Sequence, residues 1–231
     1  MTKPIYVLQR SSLVMTYSRR RLLAAGATGT LALTAGCLDF VRGTGPLELE
    51  AQRVAPTDEA LAETGYEESE ITDRSIDETI ELGVERDVRA TVWTSIYSKT
   101  VDYQGHEYEG SSFVAVSIPD YSVLGYSANP VGNMDNEELL EEFLDELDDD
   151  HSVENITHQE SFSLDILEES RDVDVFEGET EFRGELLDIE ITLTSFSHED
   201  DILVLIGTYP APLAEESANT ELLMESVEHP V

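Results

Sequence analysis

The stretch "ILVLI", Ile202 to Ile206, is apolar at every position. A strand with one face in water alternates apolar and polar residues, because successive side chains point to opposite sides. Five apolar residues in a row therefore predict a strand covered on both faces. Such a strand needs a layer above it and a layer below it. Two segments can supply them. Asp135 is followed three residues later by Glu138, the spacing of a capping box, and Leu139, Leu140, Phe143, Leu144 and Leu147 then form one helical stripe. Leu222, Leu223 and Val227 give a second apolar face over about 219–227.

Working outward from that strand, "HEDD", His198 to Asp201, reads as a turn. Asp172–Phe176 and Leu186–Phe196 alternate as half-buried strands. Val88–Ser98, "VRATVWTSIYS", is a strand with Val88, Ala90, Val92, Thr94 and Ile96 on one face. Arg89, Thr91, Trp93, Ser95 and Tyr97 take the other. Ser112–Ile118 is a further strand ended by Pro119, and Gln104-Gly105 marks a hairpin between the two. Leu47–Ala55 is a first strand. Thr57, Glu59 and Ala60 open a short helix that Gly65 stops. Tyr66–Leu82 is one or two exposed acidic strands, and Tyr121–Asn133 is a loop with a short strand at Val123–Tyr126. The connections are turns rather than crossover helices. The expected class is α+β: an antiparallel sheet flanked by helices, an α/β/α sandwich.

The start of the chain carries an address. Ser18-Arg19-Arg20-Arg21-Leu22-Leu23 looks like the twin-arginine export signal, with Arg19 and Arg20 as its pair. Leu22 to Ala35 follows as an apolar run of about fourteen residues, too short to span a bilayer and suited to a signal-peptide core. Thr34-Ala35-Gly36-Cys37 resembles a lipobox, with Thr34 where a larger apolar residue is usual. The blander reading is a plain signal peptide with an incidental cysteine. Cys37 is the chain's single cysteine and falls where a lipid-modified one belongs, so it is the expected anchor. Met15 is the expected translation start, since Met15-Thr-Tyr-Ser-Arg-Arg-Arg is an n-region of usual length. The expected organisation is a signal over 1–36, a tether over 37–46 with Gly43, Gly45 and Pro46, and one domain over 47–231.

Processing at Cys37 leaves 195 residues, enough for one domain with a sizeable core. The removed segment holds five basic side chains and no acid, so the net charge falls from −37 to −42. Only one lysine, Lys99, then remains. Charge this dense opposes compaction by self-repulsion. The Debye length is roughly 8 Å in ordinary salt and about 3 Å at molar salt. The acids are spread through the whole domain rather than gathered in a tail, which favours a folded protein adapted to brine. The same charge excludes nucleic acid and anionic lipid surfaces as electrostatic partners. With Cys37 used for lipid, no internal disulfide can form.

No nucleophile elbow, P-loop, zinc-protease helix or dinucleotide-binding glycine pattern occurs. His106, His151, His158, His198 and His229 are scattered without metal-ligand spacing and read as solvated loop residues. "DELDDDH", Asp145 to His151, lacks the spacing and glycine of a calcium loop and reads as a solvated face. Asp165 and Glu168 are one of many carboxylate pairs that so acidic a chain produces by chance. No cofactor and no metal are expected. The aromatic residues are the better lead. Trp93 and Tyr97 on one strand face, Tyr103 and Tyr108 in the adjoining hairpin, and Tyr121, Tyr126, Asn129 and Pro130 in the long loop form a candidate binding surface. The competing reading packs Trp93 and Tyr97 under a helix. Asn155-Ile156-Thr157 is an N-glycosylation sequon, making Asn155 a candidate acceptor.

Acid surplus with near-absent lysine resembles the proteins of haloarchaea. With the signal and TAGC site, the segments "GVERDVRATVWTSIYSKTV" (83–101), "VSIPDYSVLGYSANPVGN" (116–133) and "DILVLIGTYP" (201–210) resemble an uncharacterised family of haloarchaeal twin-arginine lipoproteins. The order of elements is also similar to PsbP-like domains, which implies a binding or assembly-helper role by fold analogy alone. The signal and the TAGC site imply a protein exported and anchored to the outer face of the membrane through lipid on Cys37, and a compact domain without catalytic residues is expected to bind an envelope protein, polymer or small ligand there without catalysis. The alternatives are an exported hydrolase using surface carboxylates and a structural component of the envelope.

Overall fold

Val, Ile, Thr, Tyr and Phe recur along the chain with few helix-length apolar stripes, and long strands result. The computed structural model describes residues 45–231, apart from 82–84, 104–105, 121, 124–125, 128, 130, 146–152 and 183–184. Residues 1–44, where the expected signal and most of the expected tether fall, with Arg19, Arg20 and Cys37, lie outside the described residues, as does the Gln104-Gly105 step. Pro46–Val231 forms one compact unit.

In chain order the elements are β1 (Leu47–Glu50), β2 (Ala55–Pro56), α1 (Asp58–Thr64), β3 (Glu67–Glu81), β4 (Glu85–Tyr103) and β5 (His106–Pro119). The short strands β6 (Ser122–Val123) and β7 (Tyr126–Ser127), a 3₁₀ turn at Val131–Asn133, and α2 (Asn136–Asp145) follow. The chain closes with β8 (Val153–Ile166), β9 (Glu169–Phe182), β10 (Glu185–His198), β11 (Asp201–Pro210), α3 (Ala214–Glu225) and β12 (Val227–Glu228). Two antiparallel meanders, β3-β4-β5 and β8-β9-β10-β11, join side by side where β5 pairs β11, Ile202 opposite Ile118 and Ile206 opposite Val114. β1 adds to β4 in parallel, Leu47 opposite Val88. The result is one eight-stranded mixed sheet with β3 and β8 at its edges.

The expected α/β/α sandwich is overturned. The chain is mostly β, a large mixed sheet carrying three helices. Lengths explain why the helices cannot form full layers. The nineteen residues of β4 extend about 63 Å at 3.3 Å per residue, while the twelve of α3 reach about 18 Å at 1.5 Å per residue. Helices this short leave much of the long strands uncovered, and exposed stretches such as those of β3 and β8 carry acidic side chains.

The reading of Ile202–Ile206 survives within this larger sheet. Leu203 and Leu205 join Tyr97, Phe113, Phe196, Val173 and Ile166 in a core closed by Ala60 of α1 and Leu223 and Met224 of α3. Ile202, Val204 and Ile206 join Ile189, Ile191, Leu193 and Phe176 under Leu140 of α2. Both expected caps form. Thr57 Oγ1 accepts from Ala60 N at 3.3 Å, and Gly65 ends α1 at φ +77°, a conformation open to glycine without strain. Asp135 and Glu138 cap α2 reciprocally: Glu138 N donates to Asp135 Oδ1 at 2.9 Å, and Asp135 N donates to Glu138 Oε2 at 3.3 Å. The last helix begins at Ala214, five residues before the expected start. The expected first strand divides into β1 and β2.

Candidate functional site

Asp201 opens β11 beside five apolar residues. Strand alternation puts its carboxylate on the face of Leu203 and Leu205, under the segments that flank α1 and α3. A buried carboxylate requires partners. Gln52 N donates to Asp201 Oδ2 at 2.7 Å, and His229 Nε2 lies 3.0 Å from the same oxygen. His229 arrives on the C-terminal segment, where β12 pairs β2 and Val231 N donates to Arg53 O at 3.0 Å. His198, opposite Asp201 across the β10–β11 turn, places its Nδ1 3.0 Å from His229 Nδ1.

The chemistry fixes the proton order. The carboxylate only accepts, so His229 carries a proton on Nε2, directed at Asp201 and at the Gln52 carbonyl 3.2 Å away. Its Nδ1 then either accepts from His198 or, in the imidazolium, donates to it. Asp201, His229 and His198 thus form a hydrogen-bonded chain that runs from a buried carboxylate to a half-buried imidazole. It also clasps the two ends of the domain together.

A second buried charge sits further along the same face. Glu216 of α3 is fully buried, with Lys99 Nζ 2.6 Å from Oε1 and the Tyr66 hydroxyl donating to Oε2 at 3.1 Å. Burial, and then the negative Glu216 beside it, raise the Tyr66 hydroxyl pKa well above the ordinary 10.0. α3 lies close against β11 at Gly207, where a Cβ would fall 2.2 Å from Thr220 Cγ2.

Beside α3 the sheet is uncovered, and a groove of about 460 Å³ opens there. Tyr209, Phe162 and Val175 form its floor. Gln159 and Ser217 supply polar groups, and four glutamates, Glu160, Glu177, Glu190 and Glu221, surround it. Burial raises the Tyr209 hydroxyl pKa, and the hydroxyl lies 3.3 Å from Thr192 Oγ1. None of Asp201, His198 and His229 lines this groove.

Two of the residues expected on the aromatic surface, Tyr97 and Asn129, lie inside the fold. Tyr97 is buried in the core and accepts a hydrogen bond from Arg53 Nη2 at 3.1 Å, while Trp93 is half-buried on the same strand face. Asn129 is buried too, donating to Pro119 O at 2.9 Å and accepting from Val131 N at 3.0 Å, so it anchors the loop from inside. Tyr121, and the side chains of Tyr103, Tyr108 and Tyr126, lie outside the described residues, as do Pro130, His151 and the side chain of His106. Of "DELDDDH", only the backbone of Asp145, at the end of α2, is described. Asn155 is exposed on β8. Asp165 lies near a hairpin turn made by Leu167 and Glu168, both at positive φ.

Two histidines read as solvated are not. His229 is buried, and His198 packs on it with ring centroids 5.2 Å apart. The signal was available: an aspartate adjoining five buried apolar residues demands a donor. Its long-range partners, 28 and 149 residues away, were not visible. Among the described residues, no group of three or more His, Cys, Asp or Glu side chains is arranged to hold a metal ion.

This domain defines the family of the chain. Residues 53–228 match the model described as a domain of unknown function (DUF6517), and the chain belongs to that family. No curated protein matches the sequence.

Proposed function

We propose that the chain is an exported lipoprotein of a halophilic archaeon, held on the outer face of the membrane by lipid on Cys37. Its domain acts there as a non-catalytic binding or accessory module. The observation that carries the binding role is the groove beside α3, where the apolar floor of Phe162, Val175 and Tyr209 meets Gln159 and Ser217. Its four glutamates favour an occupant bearing positive charge. The family domain begins at residue 53, downstream of Cys37 and the tether, an order suited to an anchor followed by a working domain.

A photoreactive residue at position 217, in whole cells at molar salt, tests the reading. A reproducible crosslinked partner from position 217, absent when the same residue replaces exposed Glu137 on α2, is the expected result. Equal products from both positions, or none from position 217, would count against it. Cys37→Ser tests the anchor, with release to the medium or an unprocessed precursor expected.

A second reading, acid–base catalysis as in an exported hydrolase, draws on the Asp201–His229–His198 chain. It requires a substrate to reach His198. Loss of a hydrolytic activity in His198→Gln, with the fold intact, would favour it over the binding role.

A further inference from the structure

The sequon at Asn155 sits at an unusual place in the sheet. β8 is an edge strand, paired on one side only, with β9. Its ladder runs from Glu154 opposite Glu179 directly to Thr157 opposite Glu177, so Asn155 and Ile156 bulge out opposite Gly178 alone. Gly178 accommodates the bulge, since a Cβ there would lie 2.7 Å from Val153 Cγ1. Asn155 takes φ +57°, which asparagine tolerates better than most residues, and both it and Thr157 are exposed. Of the five asparagines, it is the one followed by x-Ser/Thr. The sequence pattern and the local release of the strand therefore coincide.

We infer that Asn155 is an N-glycan acceptor in the folded protein, and that the glycan shields the open β8 edge. The inference rests on the exported reading above. A transferase that meets an already folded chain needs an acceptor outside the hydrogen-bonded ladder, and the bulge provides one. In the reaction, Asn155 Nδ2 attacks the anomeric carbon of a lipid-phosphate-linked oligosaccharide. The new N–C bond replaces the sugar–phosphate bond, the lipid phosphate leaves with the electron pair, and one amide proton passes to the enzyme's base. Nδ2 keeps its second hydrogen, so the hydrogen bond from Asn155 to the Glu179 carboxylate is retained. Brine gives the shield its purpose: edge carboxylates repel a second sheet only weakly when charges are screened within about 3 Å, whereas bulk is unaffected by salt.

The test is peptide mass analysis of the full chain recovered from a halophilic archaeal host. The peptide carrying Asn155 should show a sugar mass increment in the wild type and in Thr157→Ser, and lose it in Asn155→Gln and Thr157→Val. Bare Asn155 in lipid-modified protein from the outer surface would overturn this inference and leave the exported reading intact. Protein confined to the cytosol with an unmodified Cys37 would overturn both. The shielding role has its own readout, sedimentation at 3 M KCl. Thr157→Val should self-associate at about tenfold lower concentration than the wild type, and equal association would remove that role.

Discussion

Two histidine–carboxylate pairs in this domain have nearly the same geometry and different surroundings. His229 lies 3.0 Å from Asp201 with side-chain exposures of 1% and 4%. His158 lies 3.2 Å from Asp174 with exposures of 43% and 23%. Asp174 is partly solvated and accepts from Ser161, Asn136 and His158. Partial burial pushes its carboxyl up, but these donors outweigh that and hold it below the ordinary carboxylate value. Asp201 has no such access to water. Distance alone therefore does not rank the pairs; what each carboxylate would lose with its partner does.

The difference should appear first in stability. Asp201→Ala leaves Gln52 N–H without its acceptor and leaves His229 Nε2 only the Gln52 carbonyl, which weakens the clasp between the chain ends. A loss of about 3 to 5 kcal/mol is expected in urea unfolding at molar KCl. A loss under 1 kcal/mol would place the pair with the surface ones. Lys99→Met extends the contrast to Glu216, which has no exposed surface. A loss of about 2 to 3 kcal/mol is expected, smaller than for Asp201 because Lys99 itself is partly solvated.

Proton linkage sharpens the comparison at the extremes of pH. The raised pKa of Tyr66 means that the folded state holds its proton longer than the unfolded chain. Its contribution is full below pH 10.0 and declines as pH rises past that value. Tyr66→Phe should flatten this alkaline loss. Asp174 behaves oppositely. Its lowered value gives a contribution present above the unfolded value of 3.8 and lost as pH falls through the folded one. Asp174→Asn should flatten the acid limb of the stability profile. The smallest effect belongs to the exposed histidine: His158→Ala should cost about 0.5 kcal/mol, less at high salt.

The same contrast explains how much was legible beforehand. Ile202–Ile206, the caps at Thr57 and Asp135, and the alternation of Val88–Ser98 are local signals, and each corresponds to an element in place. β3 and β8 were poorly legible because exposed edge strands carry Glu, Asp and Ser where a buried strand carries Val or Ile, so the size of the sheet was underestimated. Trp93 and Tyr97 share a strand face as expected, yet alternation cannot tell a covered face from a binding face, and α1 and α3 cover Tyr97. His229 was out of reach because its position depends on β12 pairing β2, a contact closed only by the whole fold.

Both halves of the comparison sit inside a molecule of net charge −37, whose core, buried pairs and clasp must hold against mutual repulsion at the surface. The most direct measurement is the urea midpoint of the protein in 0.2 M and 3 M KCl, with sucrose as a non-ionic control. A large rise in midpoint with KCl, not reproduced by sucrose, is expected. An unchanged midpoint in dilute buffer would contradict the account.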